Sequence, residues 1–212
     1  MIGVLVITGF LGSGKTTLLR HLLGQREFSR TAVIINEFGE IGLDHELVEA
    51  SADSFIELTT GCLCCKVRSD LVSTIEELLE RRDRNEVPPF TRIVIETSGL
   101  ADPAPILQTL IAEPGIAGRI ALTGVVTTVD AVNGASTLDR EYISVKQVAL
   151  ADRLVLTKSD LAGAADPRLL NRLAELNAAA PVAFAQHGKW IPASSRATPW
   201  MLGQGLSTSI HG

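Results

Sequence analysis

The sequence predicts an α/β fold, a mainly parallel sheet with helices on both faces, and three observations carry that prediction. The first is composition: of 212 residues 46% are hydrophobic but only 4% aromatic. Val, Ile, Leu and Ala therefore supply the bulk, as strands buried on both faces of a parallel sheet require. The second is alternation, since short aliphatic runs are separated by longer amphipathic stretches, the pattern of repeated strand–helix–strand units. The third is placement: the glycine-rich and charged segments fall at or near the ends of the aliphatic runs, where open sheets of this kind bind ligands. The length suits one ordinary domain with a substantial core.

Strands are expected at Ile2–Thr8, Thr31–Asn36, Arg92–Glu96, Leu122–Asp130, Arg153–Thr157 and Val182–Ala185. A helix carrying Leu18, Leu19, Leu22 and Leu23 should follow the first. From Leu71 to Leu79, residues Leu71, Val72, Ile75, Leu78 and Leu79 share one face at the 3.6-residue period. Another helix should open at Asp102, an N-cap with Pro103 at the first helical position. From Gln186 to Gly212 the chain turns rich in Ser, Thr, Gly and Pro and holds both tryptophans. The expected organisation is a nucleotide-binding domain over residues 1–186, with 187–212 a linker or the truncated start of a carboxy-terminal domain.

A net charge of −5 gives no support for a broad nucleic-acid footprint. No apolar run is long enough to span a bilayer. The amino terminus enters a strand without a basic flank or small-residue cleavage site, so a cytoplasmic address is expected. The three cysteines all lie between Cys62 and Cys65. That crowding suits a metal or redox site in a reducing compartment better than a disulfide framework.

Gly9-Phe10-Leu11-Gly12-Ser13-Gly14-Lys15-Thr16 matches G-x-x-x-x-G-K-[ST] in full, between an apolar strand and a leucine-rich helix. Glycines at 9, 12 and 14 let backbone N–H groups converge on phosphate oxygens. Lys15 supplies positive charge to the β and γ phosphates, Thr16 supplies a Mg²⁺ ligand, and the helix amino terminus adds its dipole. The fold expected is thus the P-loop NTPase fold. Thr157-Lys158-Ser159-Asp160 follows a late strand. A carboxylate there can accept from both N1–H and the 2-amino group of guanine, a donor pair that adenine lacks, while the lysine stem lies against the base. Glu96-Thr97-Ser98-Gly99 closes another aliphatic strand, so Glu96 should sit beside the γ phosphate and Mg²⁺, with the Gly99 N–H free to donate.

Gly61-Cys62-Leu63-Cys64-Cys65 lies between the P-loop and Glu96, where GTPases carry nucleotide-sensitive segments. Cys62, Cys64 and Cys65 are soft ligands suited to Zn²⁺ and its neighbours. Four-coordination needs a further ligand, for which Glu37, Glu40, water or a partner's side chain are candidates. Buried structural cysteines or a redox pair remain the alternatives.

Taken together, these motifs resemble the CobW-type metallochaperone GTPases. The resemblance rests on GFLGSGKTT (Gly9–Thr17), NEFGEIGLD (Asn36–Asp44), GCLCC (Gly61–Cys65), ETSGLADP (Glu96–Pro103), VDAV (Val129–Val132) and TKSD (Thr157–Asp160). It implies slow GTP hydrolysis coupled to transfer of Zn²⁺, Co²⁺ or Ni²⁺ to a client metalloprotein or cofactor-synthesis pathway. By match, Gly12 to Thr17, including Thr17 itself, would cradle phosphate. Glu96 would stand for the usual GTPase aspartate, and Thr157, Lys158 and Asp160 would hold guanine. Cys62, Cys64 and Cys65 with Glu37 would form or border the metal site, and His187 would lie near the base pocket. Lys15, Thr16 and Glu96 would be the catalytic set, with GTP or GDP, Mg²⁺ and the transition metal as bound species. No nucleic acid or membrane partner is expected, and the sequence admits a homodimer without requiring one. Two departures stand out: the family's usual carboxy-terminal domain and histidine-rich run are missing from this sequence, and Thr157 stands where many GTPases have Asn. Two rivals use the same residues: a P-loop small-molecule kinase, marked by adenine preference, and a zinc-stabilised binding module, marked by metal-dependent folding without a nucleotide effect.

Overall fold

The computed structural model describes residues 1–36, 57–59, 67–162, 166–186 and 189–191. Its strands are β1 (Ile2–Gly9), β2 (Thr31–Asn36), β3 (Glu57–Thr59), β4 (Arg92–Thr97), β5 (Ile120–Asp130), β6 (Arg153–Thr157), β7 (Val182–Gln186) and β8 (Lys189–Ile191). Its helices are α1 (Lys15–Leu23), α2 (Val67–Asp83), α3 (Pro103–Ala112), α4 (Gly134–Arg140), α5 (Tyr142–Ala149), α6 (Ser159–Ala162) and α7 (Pro167–Leu176), with a 3-10 turn at Arg26–Phe28. The strands form one sheet in the order β3-β2-β4-β1-β5-β6-β7-β8. Every neighbouring pair is parallel except β7 with β8.

β1 is central because its side chains are apolar on both sides. Val4 and Val6 join a core built with Ile75 and Leu78 of α2 and with Ile106 and Leu110 of α3. Leu5 and Ile7 point the other way, into a core with Leu18, Leu19 and Leu22 of α1 and Phe28. A third cluster packs α4, α5 and α7 on Val129, Leu154 and Leu156. The register decides which face that is. Val6 pairs with Val125 and Thr127 pairs with Leu154, and side chains two apart on a strand share a face. So α2, α3, α5 and α7 lie on one side and α1 on the other, the two-sided cover that the aliphatic strands predict.

α3 begins as expected: Asp102 Oδ1 accepts from the Ala104 N–H at 3.0 Å, with Pro103 behind it. The same pair opens α7, where Asp166 Oδ1 accepts from the Arg168 N–H at 2.9 Å ahead of Pro167. α2 runs well beyond the expected Leu71–Leu79. Its last turn, Glu80-Arg81-Arg82-Asp83, is polar, and apolar periodicity is blind to such a turn. The sheet also continues past the expected change at Gln186, because β8 turns back onto β7, pairing Ala185 with Trp190. Among the described residues, no helix is long and apolar enough to cross a membrane.

Leu78 is fully buried between α2 and the sheet, whereas Leu161 is 72% exposed. Leu78→Ala should therefore destabilise the fold by about 2–5 kcal/mol in urea unfolding, and Leu161→Ala should stay within roughly 0.5 kcal/mol of the parent. Equal losses would contradict this placement of the core.

Candidate functional site

The carboxyl ends of β1, β4, β5 and β6 meet around the loop that joins β1 to α1. Gly9, Gly12 and Gly14 in that loop all have positive φ. A Cβ at Gly9 would collide with the Thr128 backbone and hydroxyl and with the Ser13 hydroxyl, so only glycine lets the chain leave β1 at this angle. The loop is tied down from two neighbouring strands. Ser13 Oγ and Thr128 Oγ1 of β5 share a hydrogen bond of 2.7 Å, and Thr157 Oγ1 of β6 donates to the Ser13 carbonyl at 2.7 Å. Thr157 is shorter than the Asn common at this position, yet its hydroxyl reaches the loop directly.

Lys15 opens α1 with its ammonium folded under the loop, donating to the carbonyls of Gly9 at 3.1 Å and Phe10 at 3.3 Å. Next to it, Thr16 Oγ1 donates to Glu96 Oε1 at 2.6 Å. Glu96 is only 3% exposed. It arrives there because β4 runs parallel to β1 with Glu96 opposite Ile7, and the Thr97 hydroxyl donates to Thr8 Oγ1 at 2.8 Å to fix the two strand ends. Downstream, Gly99 lies against the loop so closely that a Cβ there would fall 2.7 Å from the Leu11 nitrogen. Buried Gln147 of α5 donates from Nε2 to the carbonyls of Gly99 and Ala101, both at 3.2 Å.

Lys158 sits in the left-handed region at φ 56° and donates from Nζ to Asp130 Oδ2 at 2.8 Å. Asp130 ends β5 and closes a turn, its Oδ1 accepting from the N–H groups of Val132 at 2.8 Å and Asn133 at 3.1 Å. Burial pushes the Asp130 carboxyl upward. The bonds from Lys158, the Asn133 amide and the two backbone N–H groups outweigh that push and hold it below the usual aspartate range. Asp160 lies exposed in the first turn of α6, and Ser159 Oγ donates to the Ala185 carbonyl of β7 at 3.1 Å. A cavity of about 200 Å³ opens behind the loop, between Phe10–Ser13, β5 and α5.

Of the residues expected at the site, Gly9, Gly12, Ser13, Gly14, Lys15, Thr16, Thr17, Glu96, Gly99, Thr157, Lys158 and Asp160 all fall at this one end of the sheet. Cys62, Cys64, Cys65, Glu37, Glu40 and His187 lie outside the described residues. Among the described residues, no group of three or more His, Cys, Asp or Glu side chains is placed to hold a metal. The sequence motifs assign no role to Asp130, Thr128 or Gln147. Asp130 ends a strand inside the VDAV segment, and the strand-end rule alone could have singled it out. Nothing local in the sequence marks Gln147.

The class defined by a parallel sheet, a glycine-lined loop ending in Lys15-Thr16 and a carboxylate on the adjacent strand is that of P-loop nucleotide-binding proteins. Comparison with known proteins narrows it. The family model described as CobW/HypB/UreG, nucleotide-binding domain, matches residues 3–184, and the chain belongs to that family. It is 44% identical over 187 residues to the zinc chaperone YjiA of Escherichia coli K12, covering 88% of this chain and 58% of that relative. To the zinc chaperone CobW of a Sinorhizobium species it is 38% identical over 184 residues, covering 74% of this chain and 50% of the relative. The chain thus spans little more than half the length of these curated relatives. The Zn(II)-bound crystal structure of the E. coli YjiA GTPase superposes with a TM-score of 0.67 at 38% identity, over 85% of this chain and 56% of that one. Nickel-bound HypB of Helicobacter pylori, at 17% identity and TM-score 0.61 over 89% of this chain and 80% of that one, shares the fold.

The depressed Asp130 carboxyl fixes a pH dependence. Its contacts stabilise the fold above the ordinary aspartate range and are lost as pH falls through the lower native value. Asp130→Asn should therefore be less stable than the parent by roughly 1–2 kcal/mol at neutral pH, with the gap closing below about pH 4. A gap that persists unchanged into acid, followed by chemical denaturation across pH, would contradict the ionic origin of this contact.

Proposed function

We propose that this chain binds GTP, hydrolyses it slowly and couples it to binding of a transition metal for delivery to a client metalloprotein or cofactor-synthesis protein. The observation that carries the guanine-nucleotide part is the bond from Thr157 to the Ser13 carbonyl. It fastens the Thr157–Asp160 segment, with the chemistry to read guanine, to the loop with the chemistry to hold phosphate. Gly9, Gly12, Ser13, Gly14, Lys15, Thr16 and Thr17 are assigned to the phosphates, and Thr157, Lys158, Asp160 and His187 to the base and its surroundings.

The donor set fits Mg²⁺, a hard cation that takes oxygen ligands. The Thr16 hydroxyl and Glu96 carboxylate already lie 2.6 Å apart beside the phosphate cradle, and these two residues would hold the ion directly or through water. When bound, the ion neutralises charge on the β and γ phosphates. The chain's own part is to orient. Lys15 leaves the carbonyls of Gly9 and Phe10 to meet phosphate, loop N–H groups donate to the remaining phosphate oxygens, and the Gly99 N–H reports the γ phosphate.

The metal is cargo. Cys62, Cys64 and Cys65, with Glu37 or Glu40, are assigned to it, and a reducing cytoplasmic setting would keep those thiols available as ligands. The names of the relatives, zinc chaperones, support this assignment. In sequence, the segments bearing these residues lie between β2, whose last residue Asn36 pairs with Thr97 beside Glu96, and α2, which begins at Val67, with β3 between them. GTP would draw those segments together and gather the ligands, and hydrolysis would release them. β8 pairs with β7, so we place the nucleotide-binding unit over residues 1–191 rather than 1–186.

Linkage makes the proposal testable, because the nucleotide must change metal affinity by the factor with which metal changes nucleotide affinity. Competition titrations of Zn²⁺ and Co²⁺ on the reduced protein should give tighter binding with a non-hydrolysable GTP analogue than with GDP, by roughly 5–150-fold. The difference should vanish in Cys64→Ala. Equal metal affinity in both nucleotide states would end the switch, and ATP competing on level terms with GTP would favour the kinase reading.

A further inference from the structure

Gln147 has no place in the phosphate, base or metal assignments, yet it is the most deeply enclosed amide of the described structure, with no exposed surface. Its Nε2 spans the carbonyls of Gly99 and Ala101 at 3.2 Å each. Its Oε1 meets no hydrogen-bond partner among the described residues. A buried amide with its acceptor unmet is a destabilising way to fill a core, and leucine would pack the same space without that penalty. The two donated bonds are what the side chain contributes.

The surroundings turn those bonds into a brace. The segment after β4 is anchored at its start by Thr97 on Thr8 at 2.8 Å and at its end by Lys146 Nζ on Asp102 at 2.6 Å. Between these points it is held by Gln147. The base of the brace is itself fixed: Thr127 Oγ1 of β5 donates to the Gln147 carbonyl at 2.8 Å, and Asn177 Nδ2 donates to the carbonyls of Val148 at 2.9 Å and Ala151 at 2.8 Å. On its far side Gly99 is pressed against the backbone of Leu11 in the phosphate loop, where a Cβ would have no room. Gly99 therefore sits between a rigid amide and the phosphate cradle.

We propose that Gln147 is a positioning residue that holds Gly99 docked on the phosphate loop, so that the protein distinguishes GTP from GDP through a loop already in place. The inference rests on the reading, given above, that the Gly99 N–H reports the γ phosphate. The γ phosphate is the only group that GTP adds, so a docked Gly99 favours GTP, and losing the brace lets the loop drift at the expense of GTP alone. GDP does not reach that loop and should be little affected.

The test is the ratio of affinities for a non-hydrolysable GTP analogue and GDP, measured on the full chain by fluorescent-nucleotide competition. Gln147→Met keeps the volume and removes both donors. Two hydrogen bonds of ordinary net strength correspond to a fall in the ratio of roughly 5–30-fold. Gln147→Asn, which retracts the amide by one methylene out of reach of the two carbonyls, should move the ratio the same way and serves as a second variant that keeps a polar side chain at this position. Parallel weakening of both nucleotides at an unchanged ratio would make Gln147 a packing residue and overturn the proposal. A rise in the ratio would overturn it as well, since the amide would then be holding Gly99 away from the phosphate. Gly99→Ala separates the two levels: if it leaves the GTP preference of the parent chain intact, the γ-phosphate reading itself fails and the brace falls with it.

Discussion

Everything at the site depends on how the loop between β1 and α1 is suspended. Ser13 is held on one side by the Thr128 hydroxyl of β5 and on the other by the Thr157 hydroxyl of β6. Both threonines are buried to within a few per cent, so these hydrogen bonds face no competition from water and set the loop's shape firmly. Parallel pairing makes the suspension possible. With β1, β5 and β6 running the same way, their carboxyl ends finish at one level, and each strand hands a polar side chain to the same loop. An antiparallel neighbour would have sent its end to the opposite edge of the sheet.

The same constraint places the charges. Lys15 and Glu96 come from different segments but from adjacent strand ends, and each is engaged, Lys15 by loop carbonyls and Glu96 by the Thr16 hydroxyl. Burying such groups without partners would be costly. Each is therefore held by hydrogen bonds with the neighbouring segment, and neither charge is buried without a partner. The Lys158–Asp130 pair follows the same rule, the lysine being held by a carboxylate on the neighbouring strand.

The fold and the glycine-lined loop between β1 and α1 were legible in the sequence because each rests on a local pattern. Aliphatic runs mark strands buried on both faces, and the Gly9–Thr16 motif carries its own backbone requirements. Asp102-Pro103 marks the start of α3, and Asp166-Pro167 opens α7 with the same cap and proline. What stayed hidden depends on register between distant segments. β3 and β8 are three-residue edge strands, too short for periodicity to mark. Gln147 is one glutamine in a short helix, and its importance comes only from the segment that the fold lays against it, 46 to 48 residues away in sequence. Thr157 illustrates both sides. Its motif was readable, but its bond to Ser13, across 144 residues, belongs to the sheet and not to the motif.

Register also brings the end of β2 beside Glu96. β2 leaves the sheet at Asn36 with Ile35 opposite Glu96 and Asn36 opposite Thr97. The residue that would help hold Mg²⁺ and the last strand residues before Glu37 are thus neighbours on paired strands. A small change at Glu96 need travel only one strand spacing, about 4.8 Å, to reach the end of β2. On the other side of Glu96, Gly99 lies against Leu11 and Gln147. One strand end thereby touches the phosphate loop, the Gly99 segment and the entry to the cysteine-bearing stretch. The carboxyl end of β4 is therefore the point at which the phosphate loop, the Gly99 segment and the end of β2 are in register with one another.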